Sequence, residues 1–191
     1  MCNENEHQNR ARMIRHQNGF VVVWQDKRYL GDGDTDIYGQ FINLDGTYRW
    51  YENGYDICGD EYNQNAPDVT IDNHGNIWVV WQDSRWVGTP RWRDIYLQKI
   101  SQRADENGRP DILLQDQEGN PIIDGIPVCS AINEQVNPQI VHDGQNGMWV
   151  VWEDFRSGIY SDVYTTHLNS EGIPFEGWAE NGNVVGDAYH K

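Results

Sequence analysis

The sequence predicts an all-β molecule, an array of three four-stranded antiparallel units, and three observations predict it. The first is a repeated core: Phe20 to Arg28 reads Phe-Val-Val-Val-Trp-Gln-Asp-Lys-Arg, Ile77 to Arg85 reads Ile-Trp-Val-Val-Trp-Gln-Asp-Ser-Arg, and Met148 to Arg156 reads Met-Trp-Val-Val-Trp-Glu-Asp-Phe-Arg. The second is spacing, since Trp24, Trp81 and Trp152 lie 57 and 71 residues apart, enough for four strands and too long for a hairpin repeat. The third is turn chemistry: the 191 residues include 19 Gly, many in Asn-Gly and Asp-Gly pairs, with little Ala or Leu at helical spacing.

The first unit, residues 1–57, opens with a polar stretch and predicts strands near Arg12 to Arg15, over Phe20 to Gln25 and over Ile37 to Asn43. A glycine turn at Asn53-Gly54 then leads to the closing run Tyr55 to Cys58. Between its second and third strands, Gly31-Asp32-Gly33-Asp34-Thr35-Asp36 places Asp32, Asp34 and Asp36 at alternating positions, like the first half of a calcium loop. The glycine after the third acid and the distal Glu are missing, so a bound calcium ion and a solvated acidic turn both stay open.

The second unit, residues 58–128, predicts strands near Asp68 to Ile71, Ile77 to Gln82, Ile95 to Ile100 and Ile126 to Cys129. A polar insertion, residues 101–123, separates the last two, and Ile112-Leu113-Leu114 within it reads as an added edge hairpin. The loop holding Trp86, Arg91, Trp92 and Arg93 is a basic aromatic cluster in an acidic chain. Such side chains can stack on sugar rings or pair with carboxylates, or the two Trp can fold onto their own unit. The third unit, residues 129–191, repeats the pattern and closes over Asn183 to Val185 after Asn181-Gly182.

A frame of fixed offsets runs upstream of each core. Cys58 is followed by Gln64, Pro67 and Val69, Cys129 by Gln135, Pro138 and Ile140, and Cys2 fits with Gln8, Ala11 and Met13. Cysteines at one repeat position lie a unit apart, whereas a disulfide needs Cα atoms within about 7 Å. They are expected as small buried hydrophobes, with a bridge to another subunit as the alternative.

Trp24, Trp81 and Trp152, Asp26, Asp83 and Asp154, and Arg28, Arg85 and Arg156 recur once per unit. A catalytic group is needed once per site, so repetition argues for structure. The expected pairing is between each Arg and the Asp that opens the third strand (Asp36, Asp94, Asp162). One ligand pocket per unit is the alternative.

With 14 basic and 30 acidic residues, the net charge of −16 repels phosphate backbones and anionic headgroups, which excludes nucleic acid and membrane surfaces as partners. No apolar run approaches the roughly 20 residues of a membrane span. Motifs for a serine nucleophile, a zinc site or a phosphate loop are missing, and the histidines are scattered. A carboxylate pair for glycoside hydrolysis could still assemble in space.

The pattern Val-Val-Trp-Gln-Asp-x-Arg, then Asp-Ile-Tyr-x-Gln, then Asn-Gly before a closing Cys, is similar to the blade repeats of large secreted bacterial β-propeller proteins. Leu44-Asp45-Gly46-Thr47 with Trp50 resembles in part the Asp-box of sialidase-type propellers. The resemblance implies a single β-propeller-type repeat domain outside the cytoplasm, extracellular or at the cell surface. It leads to the expectation of a non-enzymatic structural or self-assembling protein, with no cofactor besides the candidate calcium. A lectin-like module binding glycans is the alternative, and a glycoside hydrolase fragment the third reading. Three blades fall short of the about four to eight that close a ring, so the expected partner is the chain itself, as a homo-oligomer or filament, or further blades of a longer chain.

Overall fold

The computed structural model describes residues 7–28, 34–89 and 92–186. Cys2, Asp32 and Arg91 lie outside them. The first blade is an antiparallel sheet of β1 (Gln8–His16), β2 (Gly19–Asp26), β3 (Asp36–Asn43) and β4 (Tyr55–Cys58), in that order. The second contains β5 (Gln64–Ile71), β6 (Ile77–Asp83), β7 (Asp94–Ala104), β8 (Pro110–Ile112) and β9 (Ile126–Cys129). The third runs β10 (Gln135–His142), β11 (Met148–Asp154), β12 (Asp162–Leu168) and β13 (Asn183–Gly186).

The middle sheet corrects one expectation. β9 takes the position that β4 and β13 hold, but β7 continues to Ala104 and β8 pairs with that extension, so the sheet has five strands. The first four residues of the insertion are therefore strand. Of the remainder, Leu114 is buried and Ile112 packs on the core between the first two blades, while most of the other residues are exposed.

Period-two alternation decides which face each residue supplies. Val79 and Trp81 pack with Val21, Val23 and Ile37 of the first blade, while Trp78 and Val80 pack with Val150 and Trp152 of the third. The β6 strand is consequently buried along its whole length. β5 packs between β1 and β10, so the first strand of each blade is innermost.

Each inner strand bulges at one place. The ladder is interrupted between Asn9 and Arg12, Asn65 and Asp68, and Val136 and Gln139, and Arg10, Ala66 and Asn137 there adopt φ of 52°, 51° and 54°. Pro67 and Pro138 follow the bulge residue where the ladder is already broken, a place that tolerates a missing donor. The freed amides are satisfied across the blade boundary: Ala66 N–H donates to Gln25 Oε1 at 2.8 Å and Asn137 N–H to Gln82 Oε1 at 3.1 Å. Among the described residues the three blades share a propeller-like arrangement that does not close into a ring, and no helix is long and apolar enough to cross a membrane.

Candidate functional site

The register sets Asp26 opposite Asp36, Ile37 opposite Cys58 and Gln64 opposite Asp83. One rim of the molecule therefore collects residues 27–28, 34–35, 59–63, 84–89, 92–93, 130–134 and 155–161.

At the root of this rim lie three copies of one lock. The indole N–H groups of Trp24, Trp81 and Trp152 each donate at 2.8 Å to Asp26, Asp83 and Asp154. Arg28, Arg85 and Arg156 bond the same carboxylates at 2.5, 2.7 and 2.6 Å. Each guanidinium also donates to a turn carbonyl, of Asn53, Asp124 or Asn181, and lies over Tyr38, Tyr96 or Tyr164 at 3.7 to 3.9 Å from the ring centre. The expected pairing of each Arg with the Asp opening the third strand is thus corrected. The backbone reverses direction just after β2, β6 and β11, so the side chain folds back two residues onto its own strand's end.

Burial alone raises the Asp26 and Asp154 carboxyls, but the hydrogen bonds from arginine and tryptophan outweigh it and hold both below the usual range. Cys58 and Cys129 are buried free thiols reaching from one blade into the next, 4.0 Å from Asp83 and 3.8 Å from Asp154. Burial, followed by a neighbouring carboxylate for Cys58, raises both thiols, Cys129 to about 12. Each of the three blades thus carries one such lock.

The expected calcium loop falls in part outside the described residues, since Asp32 lies there; among the described residues no three His, Cys, Asp or Glu side chains form a group that could hold a metal ion. Asp34 and Asp36 line a cavity of about 430 Å³ with Asp56, Asp60, Glu61 and Tyr62. Asp60 is paired with Arg85 at 2.7 Å, and Asp34 accepts from the Asn63 amide at 3.0 Å. Crowding by protein, and then the Asp124 charge, push the Asp56 carboxyl up to about 6. Asp56 itself is exposed at the rim.

Asp56, Asp60, Glu61 and Tyr62 were not singled out from the sequence, yet a signal was there. Asp56 stands where the other units have Pro127 and Val184, and Asp60 and Glu61 stand where the third has Ala131 and Ile132. An acid found once at a repeated position is what a site needed once per molecule requires.

Of the basic aromatic cluster, Trp86 and Trp92 are exposed and Arg93 partly so. The Trp86 indole donates to the Tyr96 hydroxyl at 3.1 Å, and Arg93 reaches Glu134 at 3.8 Å. A second polar cavity, of about 290 Å³, lies among the inner strands at Arg10, Arg12, Asp68, Asn137 and Gln139. Its carboxylate, on Asp68, accepts the Ile140 amide at 2.9 Å and faces Arg12 at 3.9 Å.

No protein-family model and no curated protein matches the chain. Solved structures do. An α-L-arabinofuranosidase from Lactobacillus brevis aligns with TM-score 0.58 at 15% identity over 96% of this chain and 59% of its own. A candidate glycoside hydrolase from Parabacteroides distasonis aligns with TM-score 0.53 at 9% identity, over 96% of this chain and 53% of its own. The chain thus spans little more than half of each. The likeness supports a β-propeller-like fold. The expectation of a non-enzymatic scaffold is overturned by these matches, both of which are to glycoside hydrolases.

Proposed function

We propose that the protein is carbohydrate-active and that the acidic pocket of the rim is where a glycosidic bond is cleaved. The observation that carries this reading is the gathering of five carboxylates and Tyr62 around one cavity of about 430 Å³, with one carboxyl raised to about 6. Glycoside hydrolysis requires two carboxyl groups in different protonation states, one to protonate the departing oxygen and one to stabilise or attack the positively charged ring carbon. Asp56 takes the role of proton donor, since its carboxyl, raised to about 6, keeps its proton in mildly acidic solution. Asp60, whose charge is oriented by Arg85, takes the second role, and Tyr62 supplies an aromatic face for the sugar.

Pentofuranosides are the first substrates to test, given the fold shared with an α-L-arabinofuranosidase. Purified protein is expected to release reducing sugar from arabinose- or xylose-containing polysaccharide. Asp56→Asn should lower the rate by about 10²-fold or more with the far-ultraviolet spectrum unchanged. Intact activity in Asp56→Asn and Asp60→Asn would refute the assignment. The exposed Trp86 and Trp92 on the same rim favour a second reading, glycan binding without turnover; there Trp92→Ala abolishes retention on polysaccharide and no sugar is released.

A further inference from the structure

The joint between the first and second blades and the joint between the second and third are built alike, and they differ by two acids. In each, the residue after the cysteine donates its amide to a side-chain oxygen in the turn before the next blade's last strand. Gly59 N–H donates to Asp124 Oδ1 at 3.1 Å, and Ser130 N–H to Asn181 Oδ1 at 2.8 Å. The backbone carbonyls of the same two turn residues accept from Arg85 and Arg156 at 2.9 and 2.8 Å, and face the Cys58 and Cys129 thiols at 3.8 and 3.7 Å. In the first blade the position belongs to Asn53, whose carbonyl accepts from Arg28. We infer that Asp124, standing where the other blades have asparagine, is a positioning residue of the acidic pocket, whose charge sets the protonation state of Asp56. This rests on the reading of that pocket as the place where a glycosidic bond is cleaved.

The joint itself has no use for the charge. An asparagine oxygen accepts the same amide hydrogen and does so at the second joint. The turn needs a residue that adopts a left-handed backbone, φ 60° at Asp124, and asparagine does this as well, with φ 68° at Asn53. The charge is also placed where it is costly. Asp56 Oδ2 lies 2.7 Å from the point a Cβ on Gly59 would occupy, so one carboxyl group packs against Gly59 while a second takes its amide. At the second joint the register puts Pro127 in the place of Asp56, and Ser130 and Asn181 in the places of Gly59 and Asp124. The two acids, and the glycine that makes room for one of them, occur together at one joint and are all replaced at the other. A like-charged pair that the fold does not require is what a functional site retains.

Neighbouring groups do not cancel the pair. Arg85 bonds the Asp124 backbone carbonyl and gives its charge to Asp83 and Asp60, each at 2.7 Å. Around Asp56, the Tyr38 hydroxyl from β3 and the Arg28 guanidinium from the end of β2 favour the charged form, and Asp26 opposes it. Burial, and then the Asp124 charge, act more strongly than any of these and raise the carboxyl to about 6. Asp34, Asp36, Asp60 and Glu61 share the cavity and are unchanged in the variants below. Asp124 is thus the foremost charge acting on Asp56, and it belongs to the second blade, so the proton-donor state depends on how the two blades are joined.

Titration of the Asp56 carboxyl by nuclear magnetic resonance in the full chain tests this. The wild-type midpoint of about 6 should fall by about half a pH unit or more in Asp124→Asn, which keeps both the amide bond and the turn. Asn181→Asp, the converse change at the second joint, should leave the midpoint in place. Asp124→Asn should also melt no lower than wild type at pH 7, since it removes a repulsion and no bond. On arabinose- or xylose-containing polysaccharide, the loss of rate with rising pH should move to lower pH by the same amount, with the rate at the new optimum within a few-fold of wild type. A midpoint that stays where it is, or a variant that melts clearly lower, would overturn the proposal. A lowered midpoint bears out the coupling even in a protein that releases no sugar, in which case the cleavage reading alone falls.

Discussion

A single tryptophan shows how much one side chain does in each blade. Trp81 is fully buried, stacks 6.3 Å from Tyr96, and donates to a carboxylate that a guanidinium also holds. Trp81→Ala should therefore cost about 3–5 kcal/mol in denaturant unfolding; a loss under about 1 kcal/mol would mean that the lock carries little. Asp56 behaves in the opposite sense. Its folded carboxyl lies near 6 against a usual 3.8, so the fold carries a penalty above pH 6 that is relieved as the pH falls towards 4. Asp56→Asn should raise the melting temperature at pH 7, with the gain vanishing near pH 4. Asp26 and Asp154, held below 3.8, contribute stability above about pH 4 and lose it in more acid solution, so wild-type stability should peak between these windows. The locks were legible as repeated residues. Their wiring was not, because a guanidinium chooses between two nearby aspartates by backbone direction, which spacing does not give.

Strands and turns were the most legible elements, since alternation and Asn-Gly or Asp-Gly pairs report directly on pleat and reversal. The β9 and β4 strands fall where the apolar runs placed them, whereas β1 and β5 start earlier than expected because the ladder resumes beyond the bulge, where the polar Gln8 and Gln64 pair with Asp26 and Asp83 of their own sheets. The turn glycine before each closing strand has a packing reason as well as a conformational one. At Gly125, with φ of 79°, a Cβ would lie 2.6 Å from both the Leu97 carbonyl oxygen and the Trp81 ring, whereas at Gly119, with φ of 85°, it would meet nothing within 4 Å. Left-handed strain alone costs about 1–3 kcal/mol. Gly119→Ala should fall in that range and Gly125→Ala clearly beyond it; equal costs in thermal unfolding would show that the β9 turn shifts freely away from the tryptophan.

At the scale of the whole molecule, charge opposes compactness. A net charge of −16 on 191 residues leaves a large excess of like charge on the folded molecule, and the Debye length of about 10 Å at 0.1 M salt is comparable to the distance between neighbouring blades. Among the described residues the favourable ion pairs span two extremes. Those of Asp26, Asp83 and Asp154 have fully buried carboxylates and are screened little, while Arg12–Asp68 and Arg93–Glu134 are long and partly exposed and contribute about 0–1 kcal/mol each. Salt therefore removes more repulsion than attraction. Raising sodium chloride from low ionic strength to about 0.5 M, where the Debye length falls to about 4 Å, should increase the melting temperature of the protein, and should do so in Arg12→Ala as much as in wild type. A melting temperature that falls with salt would place the exposed pairs, rather than the buried locks, at the centre of the molecule's electrostatic stability.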